Sequence, residues 1–149
     1  MALYTFDPKQ LSVIVGPYII KGFSETMISI TRGTDAFSMI VGADGEATRV
    51  KSNDNSATIT LTLQQGSPSN DVLSLIATAD RLTSTGIFPF LLKDNLGNTV
   101  MTAASCFIAK VPDIVFGKTH NDRVWTIMTD DLVVFVGGQT QSGANYQPA

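Results

Sequence analysis

From residue 57 to residue 64 the chain alternates without a break. Ile59, Leu61 and Leu63 fall on one face of an extended strand, and Thr58, Thr60, Thr62 and Gln64 on the other, because successive side chains of a strand point to opposite faces. The same period-two reading extends elsewhere. Leu11-Ser12-Val13-Ile14-Val15 predicts a strand, Gly16-Pro17 a turn, and Tyr18-Ile19-Ile20-Lys21 its hairpin partner. Across 27–31, Met27, Ser29 and Thr31 oppose Ile28 and Ile30. Runs 37–41 and 47–51 flank Gly42-Ala43-Asp44-Gly45, where Asp-Gly tolerates φ > 0 and signals a hairpin. This arm is glycine-tipped, charged and poor in core residues, and is expected to project from the body.

The pattern changes period after Gly66-Ser67-Pro68. Ser69 or Asn70 is placed to cap a helix, with Asp71 favourable in its first turn. Val72, Leu73, Leu75, Ile76, Ala79 and Leu82 recur at helical spacing and are expected to bury one stripe, with Ser74, Thr78 and Arg81 outward and Gly86 as terminator. Segments 87–93 and 99–108 predict a hairpin around 94–98, with Pro89 confined to an edge or a bulge. Runs 114–116, 124–128 and 132–136 complete the strands, and Gly137-Gly138 opens a charge-free tail, 139–149, that is left unassigned. The fold class expected is mainly β (α+β). Nine or ten strands form an antiparallel β-sandwich or barrel in one domain, 1–149, plugged or flanked by a single long helix. Nothing in the pattern covers the strand edges, and open edges invite pairing with other chains.

Composition sharpens that point. Charged residues make up 15% of the 149 and hydrophobic ones 44%, against about 25% charged in ordinary soluble domains. A thin charged coat implies a surface covered by partners. The charges are also uneven: 55–70, 95–109 and 132–149 carry none, whereas 32–54 holds Arg32, Asp35, Asp44, Glu46, Arg49, Lys51 and Asp54. With a net charge of −3 and no basic run, the chain is unsuited to grip nucleic acid, which requires clustered Lys and Arg to release counterions. A chain this long buries roughly 70% of its unfolded surface and needs no staples. The single Cys106 forms no internal disulfide, which points to a reducing compartment. The first residues show no signal pattern and no apolar run spans a bilayer, so a soluble product of the cytoplasm, without membrane binding, is expected.

Candidate chemistry is sparse. A nucleophile, base and acid could be drawn only from Cys106, His120, Asp113 and Asp122, and no local signature surrounds them. Cys106, within an apolar run, reads as a small core residue, His120 as a solvated loop residue, and Trp125 as core. One histidine and one cysteine cannot build a zinc site, Asp130-Asp131 lacks further carboxylates at calcium-loop spacing, and 42–45 is no phosphate loop. No catalysis, no cofactor and no metal are expected.

The run Val41-Gly42-Ala43-Asp44-Gly45-Glu46, then Arg49, Ser52-Asn53-Asp54-Asn55-Ser56, Thr58-Ile59-Thr60-Leu61-Thr62-Leu63 and Ser67-Pro68-Ser69-Asn70-Asp71, resembles the tail tube proteins of contractile-tailed bacteriophages. Tyr4-Thr5-Phe6-Asp7-Pro8 with Val13-Ile14-Val15-Gly16, and Arg123-Val124-Trp125 through Phe135-Val136-Gly137-Gly138, extend the resemblance over nearly the whole chain. Type VI secretion tubes and phage-like bacteriocin tubes are similar in architecture. The resemblance implies a β-sandwich with one helix, assembled in sixfold rings that stack into a hollow virion tube inside a contractile sheath. The partners it implies are further copies of the chain, the sheath protein, baseplate and terminator proteins at the tube ends, and double-stranded DNA in transit without specific binding.

Two site expectations follow. Thr58, Thr60 and Thr62 are expected to face the lumen, the alternatives being a subunit interface or the outside. Asp44, Glu46, Arg49 and Lys51, on an arm spanning 35–55, are expected to make polar or ionic contacts with the adjacent ring, the alternative being a solvated hairpin. A small β-barrel ligand-binding or lectin-like module also fits the strands and acidity, though not the thin charge coat, and a hydrolase would need a site that is not found.

Overall fold

The computed structural model describes residues 3–139, so the charge-free tail, 139–149, lies almost wholly outside the described residues. A short 3-10 turn, Pro8–Gln10, leads into β1 (Leu11–Val15), β2 (Tyr18–Ile19), β3 (Phe23–Arg32), β4 (Phe37–Val41), β5 (Ala47–Lys51) and β6 (Ala57–Leu63). Helix α1 (Ser69–Thr83) follows, then β7 (Phe88–Asp94), β8 (Val100–Lys110), β9 (Arg123–Thr129) and β10 (Leu132–Phe135). The protein is mainly β, with one α-helix among the described residues.

Eight strands form one antiparallel sheet in the order β2-β1-β7-β8-β9-β6-β3, and β10 pairs with β8 beside β9. Strands β4 and β5 form a separate two-stranded sheet. Burial alternates residue by residue along β6, β7 and β9, as a sheet with one covered face requires. The covered faces meet in a single cluster that joins Val13 and Val15 of β1, Phe90 and Leu92 of β7, Trp125 and Ile127 of β9, and Ile59, Leu61 and Leu63 of β6. Strands from opposite ends of the sheet share one core only if the sheet curls round it. Each such side chain contributes about 1.5–3 kcal/mol through its burial. Pro89 lies at a bulge where the β7–β8 register shifts between Phe88 and Phe90, as its missing N–H demands.

The helix differs from its expected form. Leu73 is fully buried and Ile76 and Ala77 pack partly against the core, but Leu75 and Leu82 are 71% and 80% exposed and Ala79 is exposed too. Two apolar stripes run along α1, since 73, 76 and 77 turn inward while 75, 79 and 82 recur on the far side at helical spacing. Neither expected cap forms. Pro68 occupies the N-cap position without a side-chain bond; the Ser69 hydroxyl accepts from the Lys21 N–H at 2.8 Å instead. Asn70 accepts from Trp125 Nε1 at 2.9 Å and donates to the Gln64 carbonyl at 3.0 Å. The C-cap is Ser84 at φ 56, and Gly86 serves a different need: a Cβ there would lie 2.4 Å from the Asp80 Cβ.

Run 114–116 is not a strand. It sits in the connection 111–122, bounded by Pro112 and Gly117, with Phe116 76% exposed. Its apolar residues find no neighbouring strand; buried Arg123 holds the segment by donating to the Val115 carbonyl at 3.4 Å and by stacking 5.1 Å from the Phe116 ring centre. Replacing Asn70 by Ala strands the Trp125 N–H, and is expected to cost about 1–3 kcal/mol, measured by urea unfolding followed through the fluorescence of this lone tryptophan.

Candidate functional site

Strands β3, β6, β9 and the second half of β8 form a wing with one face on the core and one face bare. Directly paired residues share a face, so the register assigns the bare side. Thr58 lies between Thr31 and Met128, Thr60 between Ser29 and Thr126, and Thr62 beside Val124. The structure therefore brings Thr58, Thr60 and Thr62 together on the bare face, each half-buried by its neighbours. Phe107, opposite Met128, adds an apolar residue at its border. Val124, Met128 and Phe107 were not foreseen, although the alternation of Val124, Thr126 and Met128 against Trp125 and Ile127 is the signal that places the first two. Lys110 pairs with Thr126 in register and so reaches the same face, where it meets Asp113 at 3.8 Å. Among the described residues it is the only wing cation in that register, since Arg32 and Arg123 pair with the buried Ala57 and Leu63.

The arm, β4 and β5, is inserted into the connection between β3 and β6, and every one of its strand residues is exposed. Its register puts Phe37, Met39 and Val41 on one face with Lys51, Arg49 and Ala47, and Ile40 and Val50 on the other. Met39 is 69% exposed. The arm is thus as apolar as it is charged. Of the expected contact residues, Asp44 shapes the tip, accepting from the Glu46 N–H at 3.2 Å, and Gly45 takes φ 89 as that turn requires. Arg49 stacks 4.2 Å from the Phe37 ring centre, a cation–π contact worth about 0.5–1 kcal/mol when exposed. No ion pair joins Asp44, Glu46, Arg49 or Lys51 to one another among the described residues. At the arm base, hydrogen bonds from Ser56, first from its side chain and then from its backbone, hold the Asp54 carboxyl below its ordinary value. A depressed carboxylate stabilises the fold above its unfolded value, and the contribution is lost as pH falls through the folded one.

The residues weighed for catalysis are not gathered. Cys106 is buried at the junction of β7, β8 and β9, while His120 lies in the 111–122 connection, its Nε2 accepting from the Gln65 N–H at 2.9 Å. Nδ1 of His120 is 3.7 Å from Asp122, Asp113 faces Lys110, and a cleft of about 820 Å³ lined by Glu25, Thr26, Thr62, Gln64, His120 and Asp122 opens on the same side as Thr62. No group of three His, Cys, Asp or Glu able to hold a metal occurs among the described residues, and none of their helices is long and apolar enough to cross a membrane.

A curled sheet with a bare wing, open margins and an apolar arm defines a mainly β protein that leaves sheet edges and apolar surface uncovered. The family model described as Bacteriophage PhiTE tail tube protein matches residues 16–137. A relative, "Structural protein ORF10" of Pseudomonas phage KPP10, is 34% identical over 150 residues, covering 94% of this chain and 87% of that protein. The chain belongs to this phage tail tube family. Its fold is also that of the anti-feeding prophage tube-terminating cap (TM-score 0.64, 13% identity, 91% and 93% of the two chains). Two chains of an extracellular contractile injection system are similar as well. One is the sheath/tube terminator (TM-score 0.63, 15% identity, 89% and 98%), the other a chain of the sheath-tube complex (TM-score 0.61, 14% identity, 89% and 92%).

Burial, the first of its causes, together with Asp130 raises the Cys106 thiol above its ordinary value, while a hydrogen bond with Thr129 opposes them. A raised thiol favours the neutral form, so its stabilisation is present below the unfolded value and is lost as pH rises through the folded one. Cys106 is therefore expected to resist alkylation at neutral pH and to react once denaturant is added, as mass spectrometry would record.

Proposed function

We propose that copies of this chain form sixfold rings stacked into the inner tube of a contractile tail, through which double-stranded DNA leaves the virion. The observation that carries this reading is the two-sidedness of the wing. One of its faces is covered by the rest of the subunit, so in a ring that bulk lies outside and the bare, hydroxyl-rich face lies inside. Four strands from each of six copies, spaced about 4.8 Å apart and tilted by about 40°, close a barrel roughly 45–50 Å across at the backbone, and side chains narrow it to about 40 Å. Duplex DNA fits within that.

Thr58, Thr60 and Thr62 then face the lumen. Hydroxyls hold water without offering phosphates a fixed cation, and Lys110 has Asp113 beside it, so the DNA slides. The arm is inserted between the end of β3 and the start of β6, at the strand ends of the wing, and in this reading it reaches the next ring. A two-stranded hairpin is marginal alone in water, and residues 35–55 gain a partner by lying on the neighbour, with Asp44, Glu46, Arg49 and Lys51 setting register at about 0–1 kcal/mol each, repeated sixfold. The sheath protein outside and baseplate and terminator proteins at the ends are the remaining partners. The subunit is one tail-tube domain, made in the host cytoplasm, and its role is structural. A tube of a phage-like bacteriocin or injection system is the second reading, favoured by fold likeness to the anti-feeding prophage and injection-system chains.

Two outcomes test the proposal. Thr58→Lys with Thr60→Lys should slow DNA release from assembled particles, and unchanged ejection kinetics would remove these threonines from the lumen. Deleting 43–46 should leave rings in electron micrographs and abolish stacked tubes; full-length tubes from the deletion would refute the inter-ring arm.

A further inference from the structure

The 111–122 connection has no strand of its own, and two sets of hydrogen bonds fasten it to the sheet. Arg123 supplies one, donating to the Val115 and Asn121 carbonyls at 3.4 and 3.3 Å. Gln65, just past the end of β6, supplies the other, and this tie runs both ways. The Gln65 N–H donates to His120 Nε2 at 2.9 Å, while the Gln65 side-chain Oε1 accepts from the Asn121 N–H at 3.2 Å. One residue thus clasps two consecutive residues that are distant in the chain.

The first of these bonds requires a neutral ring. Nε2 accepts from an amide N–H only while it keeps its lone pair, so the ring proton belongs on Nδ1, the nitrogen 3.7 Å from the Asp122 carboxylate. A second proton would occupy that lone pair and set a donor against a donor. We propose that Gln65 and His120 form a proton-sensitive clasp, closed around a neutral imidazole and opened when the ring is protonated, so that acid frees the 118–122 end of the connection from β6. The device belongs to the single chain and needs no second copy.

The groups that face the ring suit it to two positions. Asp122 lies on the connection itself, Glu25 of β3 lines the same cleft, and β6 and the residues just after it contribute only the uncharged Thr62, Gln64 and Gln65. No Lys or Arg lines that cleft; Lys118, in the connection, is exposed outside it, and Arg123 is engaged by Val115, Asn121 and the Phe116 ring. An imidazolium is therefore drawn towards two carboxylates just as its bond to Gln65 is lost. The change stays local. Leu63 and Arg123 form the last pair of the β6–β9 ladder, so Gln65, His120 and Asn121 all lie beyond it and opening breaks no strand pairing.

The test follows amide exchange residue by residue, by NMR, in the unassembled full chain. It compares about pH 7.5 with the lower pH, about 5.5, at which the His120 ring signals report complete protonation, with the intrinsic pH dependence of exchange divided out. Protection at Gln65 and Asn121 should fall about tenfold at the lower pH, while Thr126 and Ile127 in β9 keep theirs. His120→Gln carries an accepting carbonyl that does not titrate, so its protection at both amides should be equal at the two pH values. Wild-type protection that survives complete protonation of the ring overturns the clasp. A loss that persists in His120→Gln does so as well, since Glu25 or Asp122 would then be the titrating group. A loss that extends to Thr126 and Ile127 also overturns it, because the sheet itself would be opening.

Discussion

An eight-stranded sheet that buries only one face has to bend around that face. In this chain the bend is enforced by a continuous apolar alternation that starts at Val13 on one side of the sheet and ends at Leu63 on the other, with both contributing to one cluster. Everything else about the subunit follows from where the curl stops. Among the described residues it leaves β3 and the end of β8 with a strand on one flank only, and it leaves the outer face of the wing uncovered. A closed sheet would have removed the open edges.

The helix and the arm obey the same economy. One stripe of α1, through Leu73 and Ile76, closes the core, while Leu75, Ala79 and Leu82 stay outside it. The arm exposes Phe37, Met39, Ile40, Val41 and Val50, with the β4–β5 pairing, the Arg49–Phe37 stack and a glycine-tipped turn to order it locally. A monomer with 15% charged residues and this much exposed apolar surface is poorly suited to solitude. Membership of a tail tube family gives that surface a reason.

Much of the fold was legible in the sequence because period-two alternation is a local signal. The strands at 11–15, 37–41, 47–51 and 57–63 are where Thr58 to Leu63 and their counterparts place them. Errors arose where a local signal had a non-local competitor. Ser69 and Asn70 look like caps, but the Lys21 backbone and the Trp125 indole claim their side chains. Leu75 and Leu82 look like core because helical spacing alone does not separate one apolar stripe from two. Run 114–116 has strand composition but no strand beside it. Alternation shows which residues of β6 and β9 share a face, but that the two strands are neighbours rests on pairings across 60 residues or more of chain, such as Thr58 with Met128, and Phe107 joins through Met128; composition encodes neither. The parts expected of Asp44, Glu46, Arg49 and Lys51 depend on a second copy, and so on surface geometry beyond any one chain's alternation.

Placement of charge ties these strands to the proposed conduit. On the two inner wing strands the bare face carries hydroxyls with Val124 and Met128 and no charge, while charged side chains gather in the arm, the turns and the 111–122 connection and reach the wing at Glu25 and Lys110 of its border strands. A lumen of bare carboxylates would repel DNA but would also repel itself around a ring, while one of lysines would hold phosphates. Threonine avoids both, and its β-branched side chain favours the extended backbone on which the proposed barrel depends. The residue type that suits the strand is thus also the one that suits the proposed passage.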